Sequence, residues 1–275
     1  MGVILVIDEH IGPARLQSPG LVRSLLTRSA VLDGSAVLLF GEPRFVRNSV
    51  QLKVPDGSKR LLAFVALSRR RVDRRYAAGL LWPTGSDQHA SGCLRSALWR
   101  LKDAGIDILD SDSRALSLRH KTIVDASVVY EWATRLINGS ATRDDLFVSN
   151  QHGDTLDLLP DWSDDWVIFE RERIRQRLLH ALEALSQRFA EIGRPADAVD
   201  AAIWAVSVDP LRESANRVLI KAHLAEGNLV EARRVYQLYR DRVRLELGIE
   251  PSEQLASLAQ ETVRGVTPLG RPGVP

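Results

Sequence analysis

This sequence predicts an α+β domain followed by an all-α one, and three observations carry that reading. Short apolar runs punctuated by turn residues occupy 36–54; helix-period segments and a two-strand pattern follow to about 118, and from 125 onward the periodicity is helical. The charge divides at the same place: residues 41–121 hold 16 Lys/Arg against 8 Asp/Glu, whereas 122–264 hold 17 against 24. Gly193 and Gly227 lie 34 residues apart, as do Ala198 and Ala232, and each glycine separates two helical patterns. That spacing is the period of one tetratricopeptide repeat.

Composition narrows the functions open to the chain. With 275 residues, 45% of them hydrophobic, there is material for one or two packed domains. The apolar runs fall far short of the roughly 18 residues that suggest a membrane span. The apolar start Met1–Ile7 has no basic region and meets Asp8 and Glu9 at once, so no secretion signal is expected and the cytoplasm is the simplest address. A single cysteine, Cys93, excludes an internal disulfide framework and a CxxC site. The basic block suits nucleic acid, although an acidic protein or a membrane surface attracts such a block too.

The elements follow in order. Runs at 36–40, 43–46 and 49–54 read as small antiparallel strands separated by Gly41-Glu42 and Arg47-Asn48. A first helix carries Leu61, Leu62, Val65 and Ala66 at helical spacing, with Asp56 or Ser58 as its cap. A second spans 73–81 and stops before Pro83. A third, about 86–103, places Ala90, Leu94, Ala97, Leu98 and Leu101 within an arc of about 100° and turns Gln88, Arg95, Ser96 and Trp99 the other way. Strands at 106–109 and 115–118 around an Asp/Ser turn at 110–113 make a hairpin. Strands, three helices and a hairpin give the order of a winged helix, in which a helix enters the roughly 12 Å major groove and the hairpin touches the neighbouring backbone. Helices are then expected at 125–136 and 165–191, ahead of the repeat-like pairs.

Long donors on the third helix are the candidate site. Arg95 is either a bidentate donor to guanine O6 and N7, a phosphate contact, or a solvated helix charge. Gln88, Ser91, Ser96 and Arg100 are further groove or backbone candidates. Lys59, Arg60, Arg74 and Arg75 near the first two helix starts, and Arg114 and Arg119 on the hairpin, are candidate phosphate contacts. An exposed tryptophan is unusual, so Trp99 is a candidate interface toward the helical domain, a protein partner or DNA. His89 has no second histidine at metal-ligand spacing. With no Gly-rich phosphate loop and no nucleophile beside a base, neither enzymatic activity nor a cofactor or metal is expected.

Several stretches carry a resemblance: KRLLAFVAL at 59–67, LLWP at 80–83, LRSALWRLK at 94–102, VDASVVYEW at 124–132 and LLPDWSDDWVIFERERIRQRLL at 158–179. The longest, 208–255, orders DPLRE, a helix pair, YxxxR and ELGIEPSxxL. Over about residues 35–264 the chain resembles the antibiotic-regulatory (SARP, AfsR-type) family of actinobacterial transcription activators. The resemblance implies an α+β winged helix of OmpR type at 35–121, followed by an all-α, tetratricopeptide-like bacterial transcriptional activator domain at 122–264. Flanking these are an N-terminal extension at 1–34, expected to add a strand and a helix, and a flexible tail at 265–275. It also implies an activator that binds repeated double-stranded promoter sites, as a homodimer or as side-by-side protomers, and recruits RNA polymerase holoenzyme. By carry-over, Arg95 and Arg100 belong to its recognition-helix motif, with Lys102 beside them. The competing expectation is a helical protein-interaction scaffold whose winged helix does not bind DNA.

Overall fold

Short strands and helices alternate through the first half of the chain, and helices alone fill the second. The structure, a computed structural model, describes residues 19–28, 34–147 and 156–264. In chain order its elements are α1 (Gly20–Arg28), β1 (Ser35–Leu38), β2 (Arg44–Arg47), β3 (Val50–Leu52), α2 (Asp56–Leu67), β4 (Val72–Asp73), α3 (Arg74–Leu81) and α4 (Asp87–Asp103). These are followed by β5 (Leu109–Ser111), β6 (Ala115–Leu118), β7 (Thr122–Val124), α5 (Asp125–Ile137), α6 (Arg143–Leu146), α7 (Asp165–Glu191), α8 (Pro195–Val208), α9 (Glu213–Ala225), α10 (Leu229–Leu247) and α11 (Glu253–Arg264). Two compact units result, residues 1–132 with 143–174, and 133–142 with 175–275. The architecture is an α+β winged helix followed by an all-α, tetratricopeptide-like domain. Most of the expected strand and helix at 1–34 and all of the tail at 265–275 lie outside the described residues; the part described is α1, whose Leu21, Val22, Leu25 and Leu26 are buried.

In the N-terminal unit one sheet runs β3-β2-β1-β7. The β1-β2-β3 meander is antiparallel, as its turn-punctuated runs predict, while β7 joins the far edge of β1 in parallel, Ala36 facing Ile123. The strand expected at 36–40 ends at Leu38 because the next two amides leave the ladder: Leu39 N–H and Phe40 N–H both donate to Asp125 Oδ2, at 2.7 and 3.1 Å. The second and third strands are shifted as well, to 44–47 and 50–52, because Asn48 and Ser49 take positive φ in the turn between them. Asp125 Oδ1 accepts a third bond, from Ala126 N–H at 2.7 Å. This wholly buried carboxyl therefore ties the start of α5 to the end of β1.

Burial pushes the Asp125 carboxyl up to about 6, against the three amide donors and Arg44, which favour its charged form. A carboxyl raised in the folded state stabilises the fold fully below its unfolded value, near 3.8, and that contribution is lost as pH rises through about 6. Between pH 7 and pH 5 this group alone should add about 1.4 kcal/mol of stability. Urea midpoints of the natural chain and Asp125→Asn at the two pH values test this: the gain should be present in the first and missing from the second, and equal slopes would refute it.

The second sheet, β4-β6-β5, holds the wing. Its first strand starts at Leu109 rather than Ile106, because Ile106 N–H is spent on Leu101 O at 2.8 Å, closing the end of α4. Ile106 and Ile108 are buried as core residues. The cap expected from Asp56 or Ser58 is also absent: Pro55 precedes α2 without a side-chain cap. Ser58 is buried instead and donates from Oγ to Ala97 O on α4, 2.9 Å away.

The second unit stacks α8 on α9, α9 on α10 and α10 on α11. Gly193 and Gly227, the pair 34 residues apart, both take positive φ, 74° and 82°, where a side chain would be strained. Ile220, Ala232, Tyr239, Val243 and Leu255 form its core across α9, α10 and α11. The DPLRE and EPSxxL segments are fastened together here, Ser252 N–H donating to Glu213 Oε2 at 2.9 Å, while Arg212 Nε ties the first of them to α7 by donating to the buried Glu183 at 2.7 Å.

Candidate nucleic-acid interface

The candidate reading helix is α4, and its inner face fixes its outer one. Ala90, Leu94, Ala97 and Leu101 are buried, and Leu98, placed with them by helical phase, is half-buried at the edge of the stripe. Ser86 caps the helix by accepting from His89 N–H at 3.2 Å, and Arg100 and Lys102 sit in the last turn, where the helix dipole favours cations. Gln88, Arg95, Ser96, Trp99, Arg100 and Lys102 are exposed and Ser91 is half-buried. An open depression of about 490 Å³ is lined by Arg95, Ser96, Trp99 and Arg100.

The cations differ in how far the protein itself has used them. The Arg95 guanidinium has no hydrogen bond or ion pair among the described residues, and neither has the Lys102 ammonium. Arg100 donates from Nε to Ser96 O at 3.2 Å, and its guanidinium lies over Gly57 at the start of α2, where an added Cβ would sit 2.9 Å from it. Arg75 has one fully solvated partner, Asp87, at 4.0 Å. Others are committed inward. Lys59 pairs with Glu42 and with Asp56 at 2.7 Å, which raises its pKa. Arg60 donates to Leu81 O at 2.7 Å and pairs with Asp164. These two residues, expected at phosphates, are thus committed to acidic partners of the same unit.

The wing is braced by arginine too. Arg74 N–H donates to Arg114 O at 2.8 Å, and the Arg74 side chain reaches Ser111 Oγ and Asp112 O, stapling the start of α3 to the hairpin turn. Inside that turn Asp112 Oδ1 accepts from Arg114 N–H and Ala115 N–H, each at 2.7 Å, and Arg71 pairs with its other oxygen. Those donors hold the Asp112 carboxyl down at about 2. Arg119 is paired with Asp107 and Asp110 at 3.0 and 3.2 Å, which leaves the Arg114 side chain as the hairpin cation without a partner among the described residues. Sequence reasoning had no signal for Arg71 and Asp112 as wing braces, because their pairing spans 41 residues.

Trp99 is 65% exposed, as the helical phase requires. The remaining tryptophans are packed: Trp132 is fully buried and donates from Nε1 to Asp145 O at 3.0 Å, and Trp166 meets Phe64 edge-on with ring centroids 5.2 Å apart. Among the described residues no group of three His, Cys, Asp or Glu is arranged to hold a metal ion, and no helix is long and apolar enough to cross a membrane.

A winged helix with a cationic outward helix, followed by a helical-repeat domain, is an architecture suited to transcription regulation. The comparisons agree. Residues 149–263 match the bacterial transcriptional activator domain. The chain is 26% identical over 258 residues to the regulatory protein AfsR of Streptomyces griseus, an alignment that takes in 88% of this chain and 26% of that protein. It therefore spans about a quarter of the length of that curated relative. The structure of Mycobacterium tuberculosis EmbR in complex with a low-affinity phosphopeptide shares the fold with a TM-score of 0.65, over 85% of this chain and 66% of that one at 17% identity. By these comparisons the chain is similar to SARP-type transcription regulators, with its match to the bacterial transcriptional activator domain confined to residues 149–263.

Proposed function

We propose that this protein is a cytoplasmic, sequence-specific activator that binds repeated promoter sites as a homodimer or as side-by-side protomers and recruits RNA polymerase holoenzyme. In this reading residues 35–121 are the DNA-binding module and 122–264 the activator domain, and no cofactor takes part. The observation that carries it is the Arg95 guanidinium, without a partner among the described residues, midway along an exposed helix face whose opposite face is locked into the core. With α4 in the major groove, Arg95 donates two hydrogen bonds to guanine O6 and N7, while Ser96, Gln88, Ser91, Arg100 and Lys102 flank it toward groove edges and backbone. The Arg114 side chain approaches a phosphate from the wing, and Arg75 does so from α3. Lys59, Arg60, Arg74 and Arg119 act one step back, holding those elements in place.

Arg95→Ala is expected to weaken binding to a mapped operator by about 1–3 kcal/mol, concentrated at one base pair, with little effect on random DNA. Fluorescence anisotropy on both DNAs at two salt concentrations measures this, since phosphate contacts alone set the salt slope. Equal weakening on both DNAs would make Arg95 a phosphate contact. Absence of any operator preference in the natural chain would favour the protein-interaction scaffold.

A further inference from the structure

A cavity of about 470 Å³ opens on the N-terminal unit where the end of α2, β6 of the wing, β7 and α5 come together. That volume is within the range of small-molecule sites. Ala66, Leu118, Ile123 and Val128, one from each element, supply its apolar wall, and two opposite charges line it as well, Arg69 and Glu131. Neither charge has an ion-pair partner among the described residues, so they do not neutralise each other.

Arg69 is placed there at some cost to the backbone. It follows Ser68, the C-cap of α2, and takes φ 48°, the left-handed position that glycine ordinarily fills after a helix. An arginine in that position is strained where a glycine is not. Its guanidinium lies over the Tyr130 ring, 3.6 Å from the centroid, which fixes the head group at the cavity wall. Arg173 stands 5.2 Å from the same ring but is neutralised by Glu170, to which it donates from Nε at 3.0 Å and from Nη2 at 2.6 Å. Arg69 has no such carboxylate. Partial burial and the nearby Arg173 charge lower its pKa, so an anion beside it relieves a crowded cation.

We propose that this cavity binds an apolar α-amino acid as its zwitterion, with the carboxylate on Arg69, the ammonium on Glu131 and the side chain against Leu118, Ile123 and Val128. The two charges select that class. A simple carboxylic acid leaves Glu131 without a cation, and a simple amine leaves Arg69 without an anion. A neutral hydrocarbon desolvates both charges and pairs neither. The inference goes beyond the DNA-binding reading and does not depend on it, because none of these residues belongs to the proposed DNA contact.

Isothermal titration calorimetry of the full chain without DNA, using L-phenylalanine and L-leucine as probes, tests it. The expected result is one saturable site for at least one probe, with a dissociation constant below about 1 mM. The decarboxylated and the deaminated analogue of that probe should each bind at least about 10-fold more weakly. Arg69→Gly, which suits the left-handed backbone, and Glu131→Gln should each weaken the amino acid by about 10-fold or more, with far-ultraviolet circular dichroism unchanged. Arg70→Gln, at the exposed neighbouring arginine outside the cavity, should leave binding as it is. Absence of saturable binding for both probes up to roughly 10 mM would overturn the proposal. So would an affinity indifferent to Arg69→Gly and Glu131→Gln, or analogues that bind as tightly as the amino acid.

Discussion

Asp125→Ala is expected to destabilise the N-terminal unit by about 3 kcal/mol, within a range of roughly 0–6, although it removes a buried charge. Three amides, those of Leu39, Phe40 and Ala126, lose their acceptor. Each buried N–H left unpaired costs about 1–3 kcal/mol. Relief on the other side is limited: a carboxyl held at about 6 instead of 3.8 costs about 3 kcal/mol to keep ionised at neutral pH. Orphaned donors therefore outweigh the relieved charge. Denaturant titration at pH 7 measures the balance, and a variant as stable as the natural chain would show that water replaces the carboxylate.

A fragment ending at residue 121 is expected to lack a cooperative unfolding transition, whereas one ending at residue 174 should have one. The shorter piece contains every strand and helix of a winged helix, yet it loses β7, the parallel partner of β1, together with Asp125. It also loses Trp132, which is fully buried, and the backbone pairing of Phe40 with Leu158. Burying an aromatic of that size removes roughly 150–250 Å² from water, a large share of the margin of a small domain. Thermal melts of the two fragments decide the matter. Equal midpoints would mean that the later segments decorate the module without completing it.

These expectations show where the sequence was legible. Long periodic segments were: α7 runs over the 165–191 that its pattern predicts, and α4 exposes Trp99 and Arg95 as its phase requires. The helix-pair period showed through glycines that need positive φ. Short elements were not legible. β7 has three residues and β4 two, too few for alternation to register, and their partners lie far along the chain. At the candidate site, residue type named the cations but not their availability. Arg60 and Arg95 look alike in sequence; only the fold brings Asp164 to the first and, among the described residues, no partner to the second. Asp125 was readable as the start of a helix, but its grip on Leu39 and Phe40 spans 86 and 85 residues.

That distance has a meaning in time as well as energy. During synthesis β1 leaves the ribosome 86 residues before Val124, the last residue of the strand that closes its open edge. At roughly 5–20 residues per second, the wait is about 4–17 s. Throughout it a row of unpaired amides beside Ala36, Val37 and Leu38 is free to pair with another nascent chain. The parallel β1–β7 closure thus makes the order of manufacture, and not the finished fold alone, decide how long that edge stays open.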